Sequence, residues 1–191
     1  FWKRYTLGVI RLMNLKEHIR TVPDFPKKGI QFRDITSLLE SPEAFNKALI
    51  DLTASCMMFN ANKMIAIESR GFLFGSPVAR DMEIPLILSR KPGKLPNPTY
   101  QRDYKLEYGT SVLHIQQNSD IKPSDKIVII DDLIATGGTA KALASLVSQC
   151  WHVPKENILI LALIDLFELG GSSMLRDQGF NVDCIIEFEG E

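Results

Sequence analysis

Two adjacent aspartates followed by a glycine-rich turn form the part of this sequence best suited to chemistry. Asp131 and Asp132 follow the apolar run 127–130, and the turn 135–139 (ATGGT) leads into an amphipathic segment. The N–H groups and hydroxyls of such a turn, at the start of a helix, can bind a phosphate, and glycine lets the backbone approach the anion closely. Carboxylates repel phosphate, so their partners must be hydroxyl donors or a metal ion. A sugar phosphate satisfies both halves of this pattern.

The turn differs from two common nucleotide-binding loops. It lacks the lysine of the GxxxxGK[ST] loop and the spacing of the GxGxxG loop. On the residues alone, one structural alternative stays open, in which two acids cap an ordinary helix.

Short apolar runs alternate with helical segments along the chain. The runs are apolar on both faces, as a parallel sheet covered by helices requires, and they span residues 64–67, 84–88, 127–130 and 158–163. Ser41, Pro42 and Glu43 form a helix start. The alternation predicts an α/β domain with right-handed crossovers, and its ligand is expected beyond the carboxyl ends of the strands.

Residues 89–109 depart from this pattern. The segment is rich in proline, glycine and charge and has no core-facing periodicity. Long segments of this kind in compact domains are usually lids or binding loops, so we expect a lid here.

The composition of the chain argues against some classes of function. The 191 residues carry a net charge of -1, which argues against a nucleic-acid partner held by a basic surface. No apolar run approaches the ~20 residues of a membrane span. Three widely separated cysteines indicate a reducing compartment, hence the cytoplasm. Residues 1–12 are interpreted as an extension that need not be native, and residues 13–191 as one domain.

Residues 127–139 resemble the phosphoribosyl-pyrophosphate motif of the type I phosphoribosyltransferases. Four further segments resemble the members of that family that act on adenine, namely FPKKGIQFRDIT (25–36), ESRGFLFGS (68–76), RKPGKLP (90–96) and LEYG (106–109). The resemblance implies a central parallel sheet flanked by helices, with a small N-terminal hood at about 13–36 and a flexible lid at about 89–109.

The resemblance also implies how phosphoribosyl pyrophosphate is held. Asp131 and Asp132 would face the ribose hydroxyls, and the 5′-phosphate would lie on Ala135, Thr136, Gly137, Gly138 and Thr139. The pyrophosphate loop would be Glu68, Ser69 and Arg70, with a strained or cis peptide between the first two. The lid would supply Arg90, Lys91 and Lys94. Mg²⁺ would be carried mainly by the substrate, with no direct protein ligand.

For the base, the resemblance implies an adenine site at Gln31, Phe32, Arg33 and Leu166. Phe32 would stack on the base, and backbone groups of residues 31 and 33 would bind its edge. Gln31 stands where the family usually has an aliphatic residue, and this difference bears on the shape of the pocket rather than on recognition by the backbone. Glu107 would be the acid/base and charge stabiliser, with Tyr108 as its positioning neighbour and Arg70 assisting the leaving group.

The implied reaction converts adenine and phosphoribosyl pyrophosphate to AMP and pyrophosphate, in a homodimer. Two alternatives are retained. One is the same chemistry on another purine base, and the other is a non-catalytic regulator that senses phosphoribosyl pyrophosphate.

Overall fold

The computed structural model describes residues 13–106 and 109–189. In chain order its elements are β1 (Arg20–Pro23), β2 (Gln31–Asp34), α1 (Thr36–Leu39), α2 (Pro42–Phe59), β3 (Lys63–Ile67), α3 (Gly71–Asp81), β4 (Leu86–Ser89), β5 (Thr99–Leu106), β6 (Gly109–Gln116), β7 (Ile127–Ile134), α4 (Gly138–Trp151), β8 (Ile158–Asp165), α5 (Gly171–Asp177) and β9 (Asn181–Glu187). Short 3₁₀ turns lie at Leu15–His18, Lys155–Asn157 and Phe167–Leu169.

A five-stranded parallel sheet forms the centre, in the order β4-β3-β7-β8-β9. Every residue of β3 and β8 is buried, as expected for strands covered by helices on both faces. The predicted α/β class with a central parallel sheet is therefore confirmed. The predicted run 127–130 continues further than expected, because β7 includes both aspartates and ends at Ile134.

The longest helix, α2, begins where the sequence predicts. The hydroxyl of Ser41 accepts a hydrogen bond from the N–H of Ala44 at 3.3 Å, and Pro42 is the first helical residue. Its buried face includes Leu52 and Cys56. No helix in the described ranges is long and apolar enough to cross a membrane.

Glycine sets how closely α3 packs on the sheet. A Cβ at Gly75 would lie 2.8 Å from the Cβ of Ala66 and 2.9 Å from Cγ2 of Ile130. At the start of the helix, a Cβ at Gly71 would lie 2.7 Å from the carbonyl oxygen of Ile130. The helix therefore rests directly on β3 and β7, which brings its first turn beside the two aspartates.

The expectation of an irregular segment over 89–109 is wrong for its second half. β5 pairs in antiparallel register with β6, from Thr99 opposite Gln116 to Leu106 opposite Gly109. The ring of Tyr100 meets that of Trp151 edge-on at 5.1 Å, and Arg102 donates a hydrogen bond to the side chain of Gln149. A polar strand forms here because β6 and α4 provide the contacts that its own sequence lacks.

Replacing Gly75 by alanine tests the packing of α3. In an exposed helix, Gly→Ala gains up to about 1 kcal/mol. At Gly75 the new methyl group would overlap side chains of β3 and β7, so we expect a net loss of about 1–3 kcal/mol. Urea unfolding measures the difference. The control is Ser76→Ala, at an exposed position of the same helix, which should change stability by less than ~0.5 kcal/mol. A stabilised Gly75→Ala variant would contradict the described packing.

Candidate functional site

The predicted phosphate-binding turn lines a cavity at the carboxyl edge of the sheet. β7 ends at Ile134, Gly137 adopts a left-handed conformation with φ of 76°, and α4 begins at Gly138. The cavity has a volume of about 390 Å³, and its lining consists of Arg70 and residues 131–140. The structure thus brings together the two aspartates, the turn and Arg70, which lie about 60 residues apart in sequence.

The two aspartates lie side by side and are held in different ways. The N–H of Asp132 donates to Oδ1 of Asp131 at 2.9 Å. Asp132 is 3% exposed, and its Oδ2 lies 3.0 Å from Nε of Arg70. Burial and the charge of Asp132 raise the pKa of Asp131 well above its ordinary value. Burial also raises the pKa of Asp132, and the charge of Arg70 opposes that rise.

Arg70 links the acids to the predicted base site. It precedes α3, and Gly71 lets that helix touch β7 beside Asp131. Besides its ion pair with Asp132, the guanidinium lies 5.6 Å from the centre of the Phe32 ring. The expected cis peptide between Glu68 and Ser69 is present.

Glu68 anchors the base of the predicted lid. Its carboxylate accepts hydrogen bonds from Nη2 of Arg90 at 3.1 Å and from the N–H of Lys91 at 2.8 Å. The bond from Lys91 and the pairing with Arg90 lower the pKa of Glu68. Arg90 also donates to the carbonyl of Lys94. This contact between Glu68 and the lid has no signal in the sequence, because it joins residues from two separate strand ends.

The hood places an aromatic face near Arg70. Phe32 lies on β2, and the ring of Phe25 meets it edge-on at 5.0 Å. Gln31 is the half-buried first residue of β2. Leu166 follows β8, and its N–H donates to the carbonyl of Ile134 at 2.9 Å, which ties it to the strand that carries the aspartates.

The side chain of Arg33 is engaged away from the cavity. Its guanidinium donates to Oγ1 of Thr21 at 2.6 Å and to the carbonyl of Glu189 at 2.9 Å. It also lies 4.5 Å from the centre of the Phe188 ring. Only the backbone of Arg33 is left for the predicted contact with a base. The tie to the end of the chain was not predicted, because single-sequence patterns do not report contacts over such a separation.

Two predicted catalytic residues, Glu107 and Tyr108, lie outside the described residues. In sequence they lie between β5 and β6. These two strands form a hairpin that packs on α4 through Tyr100 and Arg102 of β5. Lys91 and Lys94 of the predicted lid are exposed.

Comparison with known proteins relates this geometry to one family. The model of the phosphoribosyl transferase domain matches residues 35–150. An adenine phosphoribosyltransferase of Pelagibacter ubique is 44% identical over 181 residues, which are 93% of this chain and 99% of that protein. One from Yersinia enterocolitica is 43% identical, over 94% of each chain.

Solved structures agree with the sequence matches. The adenine phosphoribosyltransferase of Thermoanaerobacter pseudethanolicus superposes with a TM-score of 0.83 at 40% identity, over 91% of this chain and 98% of that one. The enzyme from Giardia lamblia, complexed with 9-deazaadenine, has a TM-score of 0.85 at 31% identity, over 91% and 96% of the two chains.

The raised pKa of Asp131 predicts that Asp131→Asn increases stability in a pH-dependent way. Because the folded-state pKa of Asp131 is raised above its unfolded value of about 3.9, the wild-type protein loses stability as pH rises from the unfolded to the folded pKa. The variant lacks this loss, so its free energy of unfolding at pH 7.5 should exceed that of wild type. The gain should shrink towards pH 4, as urea unfolding at several pH values will measure.

Asp34→Asn is the control of opposite sign. Hydrogen bonds from Thr36 lower the pKa of Asp34, so the charged form stabilises the fold and its stabilisation is present above the unfolded pKa. The asparagine variant should lose stability at pH 7.5. A loss of stability in both variants would contradict the description of Asp131.

Proposed function

The chain belongs to the phosphoribosyltransferase family, and from that premise we propose that it transfers the phosphoribosyl group of 5-phosphoribosyl 1-pyrophosphate to N9 of adenine. The products are AMP and pyrophosphate. One observation carries the proposal: a single cavity joins a glycine-rich turn, two adjacent acids and Arg70, whose guanidinium also lies over the Phe32 ring.

Phosphoribosyl pyrophosphate fits this cavity in one direction. Its 5′-phosphate would accept hydrogen bonds from the N–H groups of residues 135–139 at the start of α4, where the helix dipole favours an anion. Its ribose hydroxyls would donate to Asp131 and Asp132. The pyrophosphate at C1′ would then extend towards Arg70, whose guanidinium can donate two hydrogen bonds to an oxygen pair.

Substrate binding must rearrange the ion pair between Arg70 and Asp132. In the structure the two groups neutralise each other. When ribose hydroxyls donate to Asp132, they replace part of the stabilisation that Arg70 supplied, and the guanidinium can turn to the pyrophosphate. The buried acids then lie near the sugar, where positive charge develops as pyrophosphate leaves.

Mg²⁺ is proposed to be carried mainly by the pyrophosphate and ribose oxygens of the substrate. The carboxylates of Asp131 and Asp132 line the cavity, and their negative charge would favour a cation that the oxygens of the substrate hold there. When bound, it supplies neutralisation of the charge on the leaving pyrophosphate.

Adenine is proposed to stack on Phe32, with Leu166 against its other face. The backbone groups of Gln31 and Arg33 would bind the base edge, which is consistent with the engagement of the Arg33 side chain elsewhere. N9 would displace pyrophosphate at C1′ with inversion. Glu107, with Tyr108 beside it, would act as the acid/base and charge stabiliser at this step.

The lid is proposed to close over the pyrophosphate and exclude water. Lys91 and Lys94 are exposed and would bring positive charge to the leaving group. Arg90 would hold the base of the lid through Glu68, the pairing that it already makes, and would face the pyrophosphate from there.

A homodimer in the cytoplasm completes the proposal. Leu73 on α3 and Leu88 on the edge strand β4 are exposed apolar side chains, of the kind that an interface between subunits covers. The three cysteines are free thiols, as expected in a reducing compartment. Analytical ultracentrifugation of the purified chain distinguishes dimer from monomer.

Arg70→Ala and Asp132→Asn test the assigned roles. Each removes a charge that the transition state uses, so pyrophosphate release with adenine and Mg²⁺ should fall by about 100-fold or more. Far-UV circular dichroism should stay unchanged, since both residues lie at the edge of the core. Lys28→Ala, at an exposed position of the hood, is the charge-removing control and should retain activity within about 3-fold. Near-normal turnover of either site variant would refute its role.

A side-by-side assay with adenine, hypoxanthine and guanine tests the choice of base. Adenine should be preferred. Because the backbone is proposed to bind the base edge, Gln31→Leu should change the KM for adenine by less than about 10-fold. Turnover of hypoxanthine or guanine instead would support the alternative purine. Binding of phosphoribosyl pyrophosphate without pyrophosphate release would support the non-catalytic sensor.

A further inference from the structure

We propose that Gly171, the first residue of α5, is a positioning residue for the 5′-phosphate loop. Its missing side chain lets the start of α5 press directly on the backbone of residues 135–137. The role in substrate binding rests on the proposed function, whereas the contact itself does not.

The space at Gly171 is filled by the peptide atoms of the loop. A Cβ there would lie 2.1 Å from the carbonyl oxygen of Ala135, 2.6 Å from the nitrogen of Gly137 and 2.7 Å from the carbonyl carbon of Thr136. Backbone atoms cannot rotate out of the way as a flexible side chain can. Any larger residue at position 171 must therefore displace the loop or the helix.

The contact is reciprocal. A Cβ at Gly137 would lie 3.0 Å from the carbonyl oxygen of Gly171 and 3.0 Å from Cε of Met174. Gly137 is the residue whose left-handed conformation turns the chain into α4. α5 therefore packs against the residue at which the loop turns.

The helix cannot easily retreat from an added methyl group. Gly171, Ser172 and Leu175 are buried, and Leu175 is 0% exposed within the core that also contains α4. Displacement of α5 would open that core. The loop carries fewer buried side chains, so it is the part expected to move.

The connection from β8 to α5 also holds the predicted base site. Leu166 at its start is hydrogen-bonded to Ile134, and Gly171 at its end contacts residues 135–137. The two ends of the connection thus make separate contacts, so a methyl group at Gly171 would act on the loop and leave the hydrogen bond of Leu166 in place.

Gly171→Ala tests the proposal, with Gly170→Ala as the matched control. Gly171 lies outside the left-handed region, so alanine there changes the contact without backbone strain. Gly170 has a φ of 72° and nothing within 4 Å of an added Cβ, so alanine there strains the backbone without touching the loop. The two variants separate displacement of the loop from loss of stability.

We expect Gly171→Ala to raise the KM for phosphoribosyl pyrophosphate and the Kd for ribose 5-phosphate by at least ~10-fold, equivalent to about 1.4 kcal/mol. The KM for adenine, at saturating phosphoribosyl pyrophosphate, should change by less than about 3-fold. Gly170→Ala should leave all three values within about 3-fold while lowering Tm. Unchanged ribose 5-phosphate affinity in Gly171→Ala, or equal losses for both substrates, would overturn the proposal.

Hydrogen exchange of the wild-type protein gives a second measurement that does not depend on the variant folding. Adding ribose 5-phosphate should protect amides of residues 135–139 and 171–175 together. Protection of the loop alone would overturn the proposal. If the wild type binds ribose 5-phosphate but releases no pyrophosphate, the proposed function fails while both measurements on Gly171 still apply.

Discussion

Backbone touches backbone at two places around the phosphate loop, and a side-chain carbon would fit at neither. Gly71 rests on the carbonyl of Ile130, and Gly171 rests on the peptides of residues 135–137. These contacts hold the first turn of α3 against β7 and the first residue of α5 against the loop that follows β7. The first contact places Arg70, which immediately precedes Gly71, beside the two aspartates of β7, and the second supports the loop. The geometry of the site thus depends first on close backbone packing, and only then on the charged side chains.

The carboxylates of Asp131 and Asp132 lower the stability of the folded state when they are charged. Burial raises the pKa of both Asp131 and Asp132, which means that the folded protein holds two carboxylates in an environment that disfavours their charge. Arg70 supplies the nearest compensation, at 3.0 Å from Asp132. A ligand that donates hydroxyl groups to the acids and accepts hydrogen bonds from Arg70 would give these three residues more hydrogen-bond partners than they give one another. The proposed affinity for a phosphorylated sugar would therefore draw on an arrangement that is costly without a ligand.

Local patterns predicted those parts of the fold whose stability is local. The apolar runs became β3, β4, β7 and β8, and Ser41 caps α2 as its side chain predicts. The sequence of residues 131–139 predicts a phosphate and hydroxyl site, and the structure places these residues around one cavity. β5 was missed because charged residues interrupt its alternation of Tyr100, Tyr104 and Leu106 with polar residues. It is stabilised by Tyr100 on Trp151, about 50 residues away. The anchoring of Arg90 by Glu68 was missed for the same reason, since no periodicity links two strand ends.

Arg33 illustrates how the backbone and the side chain of one residue can serve separate purposes, because its backbone is proposed to bind a base while its side chain is engaged elsewhere. The guanidinium of Arg33 holds Thr21 and Glu189 and lies on the Phe188 ring, which Lys16 approaches to 4.8 Å. These contacts attach the hood to the segment that follows β9. The main chain at positions 31 and 33 then lies on a hood whose position is fixed by the contacts of the Arg33 side chain with Phe188 and Glu189. A different side chain, such as that of Gln31, can accordingly occupy β2 while the backbone groups proposed to bind a base keep their place.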